Sequence, residues 1–82
     1  MILAFEIIFS PQQRIIEIEN PQVQTLAEVA GLLKPGWNWR FSKECTFWFY
    51  SREEDGLLNG HIPISRLPLA DDDEVILLPV PA

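Results

Sequence analysis

Three features of this 82-residue chain predict an α+β fold, a mixed sheet of four to five strands with one main helix packed on one face. Two β-type runs at the N-terminus are separated only by Ser10-Pro11-Gln12-Gln13. A single helix-start signal, Thr25-Leu26-Ala27-Glu28, is followed by one apolar stripe. Two further apolar runs, Thr46 to Ser51 and Glu74 to Pro79, fill the C-terminal third. With 48% hydrophobic and 22% charged residues the composition is globular, and this length holds one domain, spanning residues 1–82, with a thin core.

The first run, Met1 to Phe9, is rich in β-branched and aromatic residues, which suit a pleated and half-buried strand. Strand side chains alternate between faces. If Glu6 faces water, Leu3, Phe5, Ile7 and Phe9 face inward. Arg14 to Glu19 alternates as well, with Glu17 and Glu19 outward and Ile16 and Ile18 inward. The short break between the runs predicts a β-hairpin. Asn20-Pro21 ends its second strand.

Thr25 and Glu28 have capping-box spacing. The threonine hydroxyl can accept from the Glu28 backbone N–H while the Glu28 side chain reaches back, and loss of such a cap costs about 1 kcal/mol. Leu26, Val29 and Leu33 then form a stripe for packing on a sheet, and Pro35-Gly36 stops the helix. The connection Trp37 to Glu44 carries Trp37, Trp39 and Phe41, and large aromatics of this kind are expected to tuck against their own domain.

In the third strand Phe47 and Phe49 share one face, Trp48 and Tyr50 the other. Leu57-Leu58 reads as a very short strand between the turns Glu53–Gly56 and Asn59-Gly60. Ile64, Leu67 and Leu69 anchor an irregular or 3₁₀ segment. In the last strand Val75 and Leu77 lie on one face and Ile76 and Leu78 on the other, and Pro79 and Pro81 end ladder pairing on their own N–H side. With the first and last strands adjacent and parallel in the middle of the sheet, one helix covers one face and the other stays open.

Charge and cysteine usage narrow the function. Twelve acidic against six basic side chains leave a net charge of −6. The basic residues are scattered, which argues against a nucleic-acid surface. The apolar N-terminal run is too short to span a bilayer and lacks the features of a signal peptide. A single cysteine, Cys45, cannot form an internal disulfide, which suggests the cytoplasm. It reads as a small buried apolar residue, with only Lys43 nearby to activate a thiolate. The lone His61 has no nucleophilic partner arrangement around it. Asp71-Asp72-Asp73-Glu74 lacks the alternating spacing of a calcium loop and reads as a solvated, partner-steering turn. No metal, cofactor or catalytic residue is expected.

The chain resembles the ubiquitin-like β-grasp family over essentially its whole length. IEIEN-P is similar to the LEVEP of that family's second strand, and the Thr25 cap with its Leu26, Val29 and Leu33 stripe falls where the family's helix begins. Ile64-Ser65-x-Leu67-x-Leu69 is similar to the family's Leu-Ser-x-Tyr-x-Ile, and DDDEVILLP looks like the end of the sulfur-carrier branch. The resemblance implies a β-grasp roll whose third and fifth strands are neighbours and whose open face docks partners. Modifiers and sulfur carriers of the family act through a flexible tail ending in Gly-Gly, because a Cβ would clash in a narrow enzyme channel. This chain instead reads Pro79-Val80-Pro81-Ala82, with Ala82 falling just before the family's diglycine would begin.

The leading expectation is therefore a non-enzymatic interaction module. It docks through Trp48, Tyr50, Ile76 and Leu78, with Arg52 and Arg66 as rim charges. The expected partners are proteins, including conjugation-type enzymes, a larger enzyme complex or a second copy, with neither nucleic acid nor membrane. The alternative is a protein modifier or sulfur carrier activated by an adenylating enzyme, with an atypical or processed C-terminus.

Overall fold

The computed structural model describes residues 1–9, 12–34 and 46–80. It shows an α+β domain with strands β1 (Ile2–Ile7), β2 (Gln13–Glu17), β3 (Thr46–Ser51), β4 (Gly56–Leu58) and β5 (Asp73–Val80). Helix α1 spans Leu26–Leu33, and a 3₁₀ turn spans Ile64–Arg66. The five strands form one mixed sheet in the order β2-β1-β5-β3-β4. As expected, β1 and β2 pair antiparallel, while β1 and β5 lie parallel at the sheet centre. The antiparallel β3 covers the other side of β5.

Alternation sorts the strands as predicted over most of their length. Leu3, Phe5, Val75 and Leu77 are fully buried, with Ile7, Ile18 and Phe49 nearly so, and all join one core. Phe9 departs from the pattern. It is 99% exposed, with φ 64, because β1 ends at Ile7 and the chain is already turning at Ile8. A left-handed residue inside a turn no longer follows the period of two that governs a strand. The second strand is also shorter than expected, ending at Glu17, although Ile18 still donates to the Met1 carbonyl at 2.6 Å.

The helix is held at its start by several devices. The Thr25 Oγ1 accepts from the Glu28 N–H at 3.2 Å, and the Ala27 N–H donates to the Gly60 carbonyl at 3.0 Å. Two of the donors that a helix N-terminus leaves unpaired are thereby satisfied. Leu26, Val29 and Ala30 are buried against the sheet and Leu33 packs beside them, whereas Leu32 faces outward. The Pro35-Gly36 stop signal lies outside the described residues.

The 3₁₀ turn is tied to the helix lead-in. Ile64 N–H donates to Gln24 at 2.9 Å and Ser65 N–H to Pro21 at 2.8 Å. Fully buried Ile64 and the partly buried Leu67 and Leu69 act as the anchors the sequence indicates.

The last strand runs past Pro79 to Val80, with Pro79 opposite Phe47 and Val80 opposite Thr46. The Ile8 N–H bonds to the Leu77 carbonyl, so odd-numbered residues of β5 direct their backbone groups toward β1. At Pro79 the next bond of the parallel ladder would run from its N–H to the Ile8 carbonyl. Proline cannot make it, and β1–β5 pairing stops there while β3 continues to pair with β5 on the other side.

Candidate protein-binding face

Registers place the side chains of the helix-free face in rows. One row runs Gln13, Glu6, Ile76, Tyr50, Leu57 across all five strands. The next holds Ile8 beside Leu78 and Trp48, since Trp48 pairs with Leu78 and Ile8 bonds to Leu77. The structure thus brings Trp48, Tyr50, Ile76 and Leu78 together. Their exposure differs. Trp48 is 57% exposed, Tyr50 and Leu78 are partly so, and Ile76 only 8%. Ile76 supports the patch from beneath and presents little area to a partner.

Ile76 lies in its row between Glu6 and Tyr50, beside an ion-paired arginine. Arg52 Nη2 lies 2.7 Å from Glu6 Oε1, and its Nη1 lies 3.4 Å from Glu74 Oε2. To reach Glu6 on β1 from the end of β3, this side chain must cross β5, where Ile76 pairs with Glu6. The Arg52 side chain remains 57% exposed, and an ion pair in water contributes at most about 1 kcal/mol. Its main effect is geometric, dividing the face into two apolar parts. Ile8, Trp48, Tyr50, Leu57 and Leu78 lie on one side, and Ile15, Ala4 and Ile2 on the other. Glu74 Oε2 has only this ion-pair contact and no hydrogen bond.

Leu57 and Ile8 were missed by sequence reasoning, although both are exposed on this face. Alternation from Glu6 would have placed Ile8 here. The pairing of Leu57 with Tyr50 depends on the length of the β3–β4 turn, which alternation does not specify.

Tyr50 is fixed by a hydrogen bond from its hydroxyl to Asp55 Oδ1. Asp55 sits in the β3–β4 turn at φ 51, a conformation aspartate tolerates better than most residues. Accepting the phenol proton holds the Tyr50 pKa above its ordinary value of 10.0. Desolvation and the Asp55 charge add to this, and Arg52 opposes it. The contact therefore stabilises the fold fully below the phenol's ordinary pKa and is lost as pH rises through the raised one. Because Tyr50 is the only tyrosine, alkaline absorbance near 295 nm reads this group alone. Asp55→Asn is expected to lower the titration midpoint; an unchanged midpoint would show that the contact is absent in solution.

The acidic turn has structural duties. Asp71 Oδ1 accepts from Ile2 N–H at 2.9 Å and Asp73 Oδ2 from Ala70 N–H at 2.8 Å. The Asp72 N–H donates to the Ile2 carbonyl at 2.8 Å, with Asp72 at φ 69. These bonds lead the chain into β5 beside β1. Glu17, Glu19, residues 53–55 and residues 71–74 all fall at this one end of the sheet, giving it a negative potential. Among the described residues no group of three or more His, Cys, Asp and Glu side chains is placed to hold a metal ion.

Arg66 stands on the 3₁₀ turn tied to residues 21–24 and not on the β3–β5 face, so it does not rim the patch. His61 is exposed, its N–H bonded to Asn59 Oδ1 at 3.0 Å. It borders a hollow between α1 and β3 whose wall includes Lys34 and Thr46, the residues flanking 35–45. Trp37, Trp39, Phe41, Lys43 and Cys45 lie outside the described residues. No described helix is long and apolar enough to cross a membrane. The chain matches no family model, and no curated protein matches it in sequence.

Proposed function

We propose that the chain is a ubiquitin-like β-grasp domain that acts without catalysis, as an interaction module docking a protein partner through its helix-free sheet face. The strand order, the parallel central pair of first and last strands, and the capped helix on one face are compatible with that fold. The observation that carries the reading is the cluster of Ile8, Trp48, Tyr50, Leu57 and Leu78 on one open face. Aromatic and aliphatic side chains gathered on such a face supply the desolvated anchors of an interface. Arg52, with its Glu6 and Glu74 partners, forms a polar border. The acidic end of the sheet favours a partner with a basic rim, speeding encounter more than it adds affinity.

The test is affinity purification with intact-mass measurement, comparing the wild type with a Trp48→Glu/Leu78→Glu variant. Both positions lie off the main core, so the variant is expected to keep a cooperative urea transition and lose its partner. Unchanged recovery of the same partner by the folded variant would refute docking through this face.

A further inference from the structure

The sheet has a second surface, the outer edge of β2, which no described strand covers. Its backbone polarity follows from the β1–β2 ladder. Met1 and Ile18 exchange both hydrogen bonds, Ile18 N–H to Met1 O at 2.6 Å and the terminal amine to Ile18 O at 3.3 Å. Bonded and non-bonded pairs alternate in an antiparallel ladder. Ile16 and Arg14 therefore bond toward β1, opposite Leu3 and Phe5. Gln13, Ile15 and Glu17 must direct their N–H and C=O groups away from the sheet.

Natural edge strands are usually blunted by proline, lysine or a bulge. β2 has neither proline nor lysine within Gln13–Glu17, and its register with β1 is continuous. Its blunting features are its five-residue length and Arg14, which pairs opposite Phe5 on the helix side and does not remove the outward backbone groups of Gln13, Ile15 and Glu17. Ile15, at its centre, is 72% exposed.

We propose that this edge pairs with β2 of a second copy of the chain, antiparallel and centred on Ile15. A two-fold axis through Ile15 places it opposite its own copy and Gln13 opposite Glu17 of the second chain, twice. All six of these residues carry outward backbone groups, so every N–H and C=O on the two edges finds a partner. The Gln13 amide can donate to the facing Glu17 carboxylate, and the two Ile15 side chains meet on the helix-free face. The backbone match would serve any antiparallel strand; what suits a second copy of the chain is the side-chain pairing, Gln13 facing Glu17 twice and Ile15 facing its own copy. The edge is only five residues long, far less than a standard interface, and each chain carries a charge of −6. The dimer is therefore weak, forms at high concentration, and tightens as salt screens the repulsion between the chains.

Sedimentation equilibrium of the full chain tests this, from tens of micromolar to about 1 mM, the range where weak small interfaces populate. The average mass is expected to rise from one chain toward two, more so at higher salt. Ile15→Pro removes an N–H that the β1–β2 ladder does not use, and Ile15→Lys puts like charges on the axis; both are expected to abolish the rise. Trp48→Glu is expected to leave it intact, separating this edge from the sheet-face reading. In concentrated wild-type solution the amides of Gln13, Ile15 and Glu17 are expected to gain protection from hydrogen exchange. A monomer at every concentration overturns the proposal. So does a dimer that survives both Ile15 variants, one that Trp48→Glu dissolves, or one with no added protection at those three amides.

Discussion

Replacing Phe5 with alanine is expected to cost about 3–5 kcal/mol, the range for deleting a buried phenyl ring, while Phe9→Ala should change stability by less than about 0.5 kcal/mol, as surface substitutions usually do. Both residues belong to the same apolar run. Phe5 is fully buried and packs in the main core. Its strand neighbours are Arg14 on one side and Val75 on the other, so the surrounding backbone is paired on both sides and cannot close the resulting cavity. A domain of this size is stabilised by only about 4–12 kcal/mol in all, and Phe5→Ala should lower the urea midpoint severely. Phe9 projects from the turn after β1 at φ 64. Phe9→Gly should even stabilise the protein, by roughly 1 kcal/mol, because glycine has no Cβ to strain in the left-handed region. Equal losses at positions 5 and 9 in urea denaturation would mean that β1 continues through Phe9.

That contrast marks how far the sequence was legible. The core faces of β1, β3 and β5 were readable because strand periodicity is strict while the ladder lasts. The Thr25 cap and Ile64 anchor were readable because each has a local chemical signature. Where a strand stops is less visible. Turn conformation set it at Phe9, and pairing with β3 allowed β5 to continue through Pro79. The candidate face was legible as a set of side chains but not as a surface. Ile76 alternates outward as expected, yet it is only 8% exposed, set between Glu6 and Tyr50 and beside the ion pair that Arg52 makes across β5 to Glu6. That contact joins residues 46 positions apart and depends on strand order, which no single run encodes. Arg66 illustrates the same limit. Its charge was visible, but its position on the 3₁₀ turn and not beside β3 followed only from the tertiary hydrogen bonds of residues 64 and 65.

Gly60 shows the same dependence on tertiary structure, and its replacement by alanine is expected to cost about 1–3 kcal/mol, as overpacking a core does. In sequence it looks like half of an Asn-Gly turn, chosen for backbone freedom, but it is not among the positive-φ residues. The constraint is space. A Cβ at position 60 would lie 2.2 Å from Phe49 Cε2 and 2.4 Å from its Cδ2. Neither side can yield cheaply. The Phe49 ring is 4% exposed and packed in the core. The backbone of Gly60 is held because its carbonyl accepts the Ala27 N–H at the start of α1. Reduced unfolded-state entropy would favour alanine by about 0.4–1 kcal/mol, which is smaller than the clash. Shortening the ring should therefore rescue the variant. Phe49→Leu alone loses packing, but Gly60→Ala/Phe49→Leu should be more stable than the sum of the two single losses, with a coupling of about 0.5–3 kcal/mol. Urea melts of the four proteins measure that coupling. Strict additivity would mean that the ring and the glycine do not touch, and that Gly60 is required for its turn and not for the packing of helix on sheet.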